Sequence, residues 1–149
     1  MMTMSDQEIL KEYLLKEIDI IQDIIKRMAF NSFMIKGWAI TLVVVALLLK
    51  GTTQYQTWIG FIPLLVFWFL DAYFLWQERM YRKLYEWVIN NRLKTDEYLF
   101  DMNAYRFKSQ VQSKFRIMFS ITLGWFYGII AILVIIYSVL LFLFKKGGC

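Results

Sequence analysis

From Ile117 to Phe144 the chain runs 28 residues without a charged side chain, and no other feature restricts its fold as strongly. As a helix, this run would be about 42 Å long, enough to cross a bilayer with tilt. The chain is 59% hydrophobic, and its 149 residues include one Pro and seven Gly. Turn residues are therefore too few for an all-β fold. The expected fold class is all-α: an integral membrane protein with three transmembrane helices, built as a helical hairpin plus a third span, with cytoplasmic helical extensions.

The first two spans are less clean. Gly37 to Leu49 carries no charge, but its 13 residues fall short of the ~20 a span needs. Extending it back to residue 31 supplies the length and encloses Lys36, so the first span is expected at 31–49. Lys50 to Thr57 is a short polar turn. The second span, 58–77, is apolar except for Asp71 up to Trp76, and has Pro63 near its start, where a missing backbone donor costs little. A short connection makes these two helices antiparallel neighbours. The third span is 117–144.

The flanking segments are expected to be helical and cytoplasmic. Ser5 with Glu8 has the capping-box pattern. Over 5–30, Leu10, Leu14, Ile18, Ile21, Ile25 and Met28 recur at helical spacing, and Ile9, Tyr13, Ile20 and Ile24 widen the apolar face. Charges fill the rest, so this amphipathic helix packs on cytoplasmic structure, on another copy or on lipid headgroups. With no Pro or Gly before Lys36, it can run directly into the first span. The connection 78–116 opens as a continuation of the second span, with Met80, Leu84, Trp87 and Val88 on one face. Glu78–Arg82 and Arg82–Glu86 are spaced for surface pairs. The helix is expected to stop near Asn90-Asn91, with turns or caps at Thr95-Asp96 and Asp101 to Asn103.

Charge sets the expected orientation. The 78–116 connection holds nine Lys/Arg and the N-terminal arm five with Lys36, against Lys50, Lys145 and Lys146 elsewhere. The positive-inside rule puts the N-terminus in the cytoplasm and the C-terminus outside a bacterial inner membrane. The start, MMTMSDQEILKEY, lacks the pattern of a signal peptide, so the spans are expected to direct insertion themselves.

Three constellations stand out. Lys36 lies 14 residues before Lys50, and Asp71 lies 14 after Thr57, so an antiparallel hairpin brings them to one depth. Each alone would cost about 3 kcal/mol within a span. Together they form either a fixed pair that pins the hairpin or part of an ion path. Ser120, Gly124 and Gly128 place small residues at every fourth position, a strip suited to close packing within the chain or between copies. Finally, Trp38, Tyr55, Trp58, Trp76, Tyr81, Tyr85 and Trp87 are expected as interfacial anchors. The basic residues Arg79, Arg82, Lys83, Arg106, Lys108, Lys114 and Arg116 are expected to set topology and meet anionic lipid. A nucleotide signal is the alternative ligand, and nucleic acid is not expected.

Enzyme chemistry finds little support. His is absent, Cys149 is the lone cysteine in a Gly-Gly-Cys tail, native or appended, and no phosphate-cradling Gly loop or nucleophile elbow is present. An aspartate-based intramembrane hydrolase would need a second acidic residue in another span. No cofactor and no metal site are expected.

The strings RMAFNSFMIKGWAITLVVVALLL and FWFLDAYFLWQERMYRKLYEWV, covering roughly residues 27 to 88, resemble small bacterial multi-pass membrane proteins of the RipA-type oligomeric membrane protein family, some of them beside anti-phage defence genes. The resemblance rests on Asn31, Ser32, Lys36, Gly37 and Trp38, then Asp71, Glu78, Arg79, Arg82 and Tyr85. The third span is similar only in being apolar. The resemblance implies a homo-oligomer, a pore-forming effector kept closed until a signal arrives. The leading expectation is thus a homo-oligomeric channel or pore, gated through its cytoplasmic helices, in bacterial stress or phage defence. The rivals are a non-conducting membrane anchor or scaffold for a soluble partner, and a holin-like lysis protein, which the long cytoplasmic connection disfavours.

Overall fold

In a computed structural model of the protein, the described residues are 4–48 and 56–147, with side chains over 7–48 and 59–144. Most of the polar turn at 50–57, the Ser5 capping box, the side chains of Tyr55 and Trp58, and Cys149 lie outside them. The helices are α1 (Met4–Leu48), α2 (Gln56–Asn91), α3 (Lys114–Met118) and α4 (Ile121–Gly147), with a 3₁₀ helix at Ala104–Gln110. No strand occurs among the described residues. Three helical stretches are long and apolar enough to cross a membrane: Gln7–Leu48, Ile59–Asn91 and Ile121–Phe144. The protein is an all-α membrane protein. As expected, α1 runs unbroken from the charged arm into the first apolar stretch, and α2 ends at Asn91. Because α2 begins at Gln56, Pro63 lies about two turns inside it.

The chain divides into two compact units. A charged unit combines Met1–Asn31 with Phe74–Ser113, and an apolar unit combines Ser32–Tyr73 with Lys114–Cys149.

In the charged unit, α2 buries Trp76, Met80, Leu84 and Val88 at intervals of one helical turn, and Arg92 continues the same stripe into the interior. From α1 it meets a face that differs from the expected one. Leu10 and Ile21 are buried, but Ile9 and Ile20 are exposed, and Glu17 is 1% exposed. Glu17 lies seven residues after Leu10 and four before Ile21, on their face of the helix. Arg92 makes its burial tolerable. The guanidinium donates to both Glu17 carboxylate oxygens, one of them at 2.9 Å, in a forked pair. Its remaining donors reach the carbonyls of Thr95, Glu97 and Tyr98 at 2.9–3.1 Å. Glu17 also accepts from the Phe100 amide at 2.7 Å.

One ion pair thereby organises the loop that follows α2. Within that loop Tyr98 and Phe100 have φ of 56° and 55°, in the left-handed region that side-chain-bearing residues seldom occupy. The bonds to Arg92 and Glu17 hold the backbone there, and the Phe100 ring packs edge-on against Tyr13 at 5.6 Å. The expected turn residues act locally. Thr95 Oγ1 accepts from the Glu97 amide at 3.1 Å, and Asp101 accepts from the Asn103 amide at 3.0 Å. Asn103 caps the 3₁₀ helix by accepting from the Tyr105 amide at 3.2 Å. Glu78, itself buried, pairs with the exposed Arg82 at 2.7 Å, whereas Glu86 takes Lys83 rather than Arg82, also at 2.7 Å. The one guanidinium is spent on Glu78. The exposed Glu12–Lys16 hydrogen bond holds the Glu12 carboxyl below its ordinary pKa and the Lys16 ammonium above its own.

In the apolar unit, α1 and α2 form the antiparallel hairpin: Gly60 of α2 faces Ala46 and Leu47 of α1, and further along Asp71 meets Lys36. The outer surface is apolar, with Phe33, Trp38, Ile62, Leu65, Trp125 and Leu133 among its exposed residues, whereas Ser32 and Asp71 are buried. Greasy outside and polar inside is the arrangement that a hydrocarbon solvent selects. One expectation fails here. Residues 117–144 are not a single helix, because α3 stops at Met118 and α4 starts at Ile121. The Trp68 indole donates to the Met118 carbonyl at 2.8 Å, and the Ser120 amide turns back to Ile117 at 2.9 Å, a three-residue bond. A tertiary hydrogen bond interrupts a run whose local sequence contains no breaker.

Removing one partner of the buried pair should be far worse than removing both. Arg92→Leu is expected to destabilise the charged unit by roughly 3–5 kcal/mol and to open residues 93–101 to protease. Glu17→Leu combined with Arg92→Leu should recover part of that loss. Denaturant titration with limited proteolysis of the two variants measures the difference.

Candidate functional site

Four polar side chains converge inside the apolar unit. Ser32 and Lys36 stand four residues apart on α1, so they share a face. Asp71 comes from α2 and Tyr127 from α4. Asp71 is 0% exposed, and its Oδ2 lies 2.6 Å from the Lys36 ammonium. Oδ1 accepts a short hydrogen bond from Ser32 Oγ, which in turn accepts from Lys36 at 2.8 Å. The Tyr127 hydroxyl shares its proton between Asp71 Oδ2 at 3.2 Å and the Phe67 carbonyl at 3.3 Å. Lys36 also stands 6.0 Å from the Phe126 ring, within reach of a cation–π contact.

The second layer is aromatic. Trp68 stacks on Tyr127 at 5.8 Å and meets Phe119 edge-on at 5.4 Å. Asp71 thus meets three donors from its own chain and has no surface of its own. Charge-assisted bonds of this kind offset the desolvation that makes in-span charges rare. Lys36 is the less enclosed partner, with its side chain 23% exposed. The cluster holds three helices in register, and its carboxylate is unavailable to a passing ion.

The other expected site residues scatter in role. Of those carrying the resemblance, Ser32 joins the cluster, whereas Asn31 falls in the charged unit and is half-buried. Gly37 has open space where a Cβ would stand, and Trp38 is exposed. Glu78 and Arg82 pair with each other, Arg79 donates to Gln112 at 3.3 Å, and Tyr85 accepts from Gln22 at 3.3 Å. Of the other expected anchors, Trp76 is buried against Tyr105 at 5.8 Å, and Trp87 is engaged by the Arg92 guanidinium at 5.5 Å. Those rings fill the charged unit.

The expected basic patch also divides. Lys83, Arg106 and Lys108 belong to the charged unit, Lys114 and Arg116 to the apolar one. Arg106 is removed from it altogether: its side chain is 21% exposed, and its guanidinium lies 4.0 Å from the Tyr98 ring and 5.1 Å from Trp87. Stacking on aromatic faces suits a weakly hydrated guanidinium. Lys83 is held by Glu86, and Lys114 lies 5.0 Å from the Tyr73 ring. Lys108 and Arg116 are exposed.

Ser120, Gly124 and Gly128 line a groove of about 340 Å³ with Phe119, Trp125 and Ile132. A Cβ at Gly128 would meet nothing within 4 Å, and one at Gly124 only the Phe119 carbonyl at 4.0 Å. Among the described residues, Gly124 and Gly128 do not pack against the first two spans of the same chain, one of the two expected uses of this strip.

Tyr127, Glu17 and Arg92 were not singled out by sequence. Each left a faint signal. A tyrosine hydroxyl within a charge-free span needs an acceptor, and Glu17 and Arg92 both continue an apolar stripe at helical spacing. No family model, curated protein or solved structure matches the chain. What fold and site define is a class: an all-α membrane protein with three apolar helical stretches, whose apolar unit is tied together at a buried ionic cluster.

Asp71→Asn should leave Lys36 without its counter-charge and cost about 3–5 kcal/mol. Lys36→Met in that background should restore most of the loss, whereas Tyr127→Phe alone should cost only about 1 kcal/mol. Thermal unfolding of detergent-solubilised protein, read as a double-mutant cycle, gives all three values.

Proposed function

We propose that the chain is a membrane-anchored scaffold that assembles from identical copies and receives a soluble partner or a small anionic signal on its charged unit. One observation carries the reading over the pore that the charge pattern first favours: Asp71 is fully buried beneath Lys36, Ser32 and Tyr127. It is the only carboxylate inside the expected spans, and it is consumed in holding helices together. Self-association is supported by Gly124 and Gly128, which lie open along α4 in the groove that Ser120 also lines and leave room for a second helix. A loop built on a buried ion pair supports a folded unit made for recognition. It also weighs against the lysis-protein reading. The charge bias supports a cytoplasmic position for that unit and an outside C-terminus, in what we take to be a bacterial inner membrane. Lys108 and Arg116, both exposed, are suited to anionic lipid.

A gated pore remains the second reading because of Lys36, whose side chain is 23% exposed. In a ring that turned this surface inward, the ammonium would border the lumen. The same resemblance that implies a homo-oligomer implies such an effector in bacterial defence.

Native mass spectrometry from mild detergent should show oligomers that fall to monomers in Gly124→Leu and Gly128→Leu, with helicity unchanged. A monomer in the unmodified protein removes the assembly reading. Liposomes holding the assembled protein should stay silent to ions with and without cytoplasmic extract, and a foreign subunit should co-purify in fixed ratio. Ion flux that changes on Lys36→Gln would instead establish the pore.

A further inference from the structure

The interruption between α3 and α4 is at odds with its own sequence. Residues 114–123, KFRIMFSITL, contain neither Pro nor Gly, and helices break sharply for identifiable causes. The cause here comes from another helix, through the Trp68 indole on the Met118 carbonyl at 2.8 Å. In an unbroken helix that carbonyl would accept from the Thr122 amide.

Ser120 shows what the break costs. Serine and threonine inside helices return their hydroxyl to the carbonyl four residues back. Two others in this unit do so: Ser138 to Val134 at 2.6 Å, and Thr41 to Gly37 at 3.0 Å. Ser120 Oγ is enclosed and has no hydrogen-bond partner. Its amide bonds Ile117, three residues back, instead of Arg116. Closing the helix would give the hydroxyl its acceptor at Arg116, return Ile117 to Ile121 and Met118 to Thr122. The bonds surrendered would be the one from Trp68 and the three-residue bond from Ser120 to Ile117, the latter replaced by one from the same amide to Arg116.

We infer that residues 114–124 form a two-state segment, latched in a broken form by the Trp68 indole and able to close into one continuous helix through α3 and α4. The two states exchange a tertiary hydrogen bond for local ones, so their free energies differ by no more than a few hydrogen bonds are worth. Trp68 also stacks on Tyr127, which bonds Asp71, so the latch touches the cluster that ties the three helices. A ligand or partner that moved Trp68 would therefore change the third helix. This inference concerns one protomer and stands whether or not copies associate.

Trp68→Phe tests it, keeping the ring for Tyr127 and Phe119 while deleting the indole N–H. Nuclear magnetic resonance of the labelled protein in lipid nanodiscs reads the Cα shifts of Phe119 and Ser120 and the amide exchange of Ile121 and Thr122. In the unmodified protein those shifts should be non-helical. In the variant they should move to helical values, and exchange should slow by about tenfold, the equivalent of one net hydrogen bond. Ile121→Pro provides the control. Proline fits the first position of α4 but cannot sit inside a continuous helix. It should leave the unmodified fold intact and abolish the change when added to Trp68→Phe. Unchanged shifts and exchange in a folded Trp68→Phe protein overturn the inference, as does a change that survives Ile121→Pro.

Discussion

A carboxylate surrounded by hydrocarbon has to be met by donors from its own protein, and Asp71 imposes that requirement on the whole apolar unit. Three donors reach it from two other helices, Lys36 and Ser32 on α1 and Tyr127 on α4. A slip of one residue along α1 would rotate Lys36 by about 100° and strand both charges. The apolar contacts of the unit discriminate register less sharply, because lipid competes with them on nearly equal terms. Depth, rotation and pairing of the first two helices follow from one side chain.

The charged unit uses the same device in a different solvent. Glu17 and Arg92 are as enclosed as Asp71, and here the guanidinium also supplies the carbonyls of a loop that includes two left-handed residues. A buried pair is a weak source of net stability but a demanding geometric condition. Each unit thus joins α1 to α2 through one ion pair at a defined position. The helices α1 and α2 are long enough to serve both units, and these pairs specify where along them the contacts form.

This use of charge bears on function. The in-span carboxylate is enclosed by donors of its own chain, and the proposed scaffold reading starts from that. What the apolar unit leaves open is a groove along α4, and what the charged unit offers is a loop hydrogen-bonded in an uncommon conformation. The proposed scaffold rests on both features. The Trp68 contact with Met118 adds a point at which α2 acts on the third helix.

Much of this was legible in the sequence, and the reason is solvent. Apolar runs at 31–49, 58–77 and 117–144 announce helices because lipid cannot satisfy a backbone. Lys36 and Asp71 could be paired by counting residues from a short turn, since both strands of the hairpin are helices of equal rise. Turn residues such as Thr95, Asp101 and Asn103 were legible for an equally local reason: each bonds its own neighbours. Four features depended on tertiary contact alone. Glu17 looked like a surface charge until Arg92 came to it across 75 residues, and Arg106 like one until Tyr98 covered it. Tyr127 had no visible partner until α4 met Asp71. The run after Ile117 read as one helix until the Trp68 indole took a carbonyl from it. Local sequence determines which segments are helical and which faces avoid water. Which polar group finds which partner, and where a helix yields to one, was decided only when distant segments were brought within hydrogen-bonding distance.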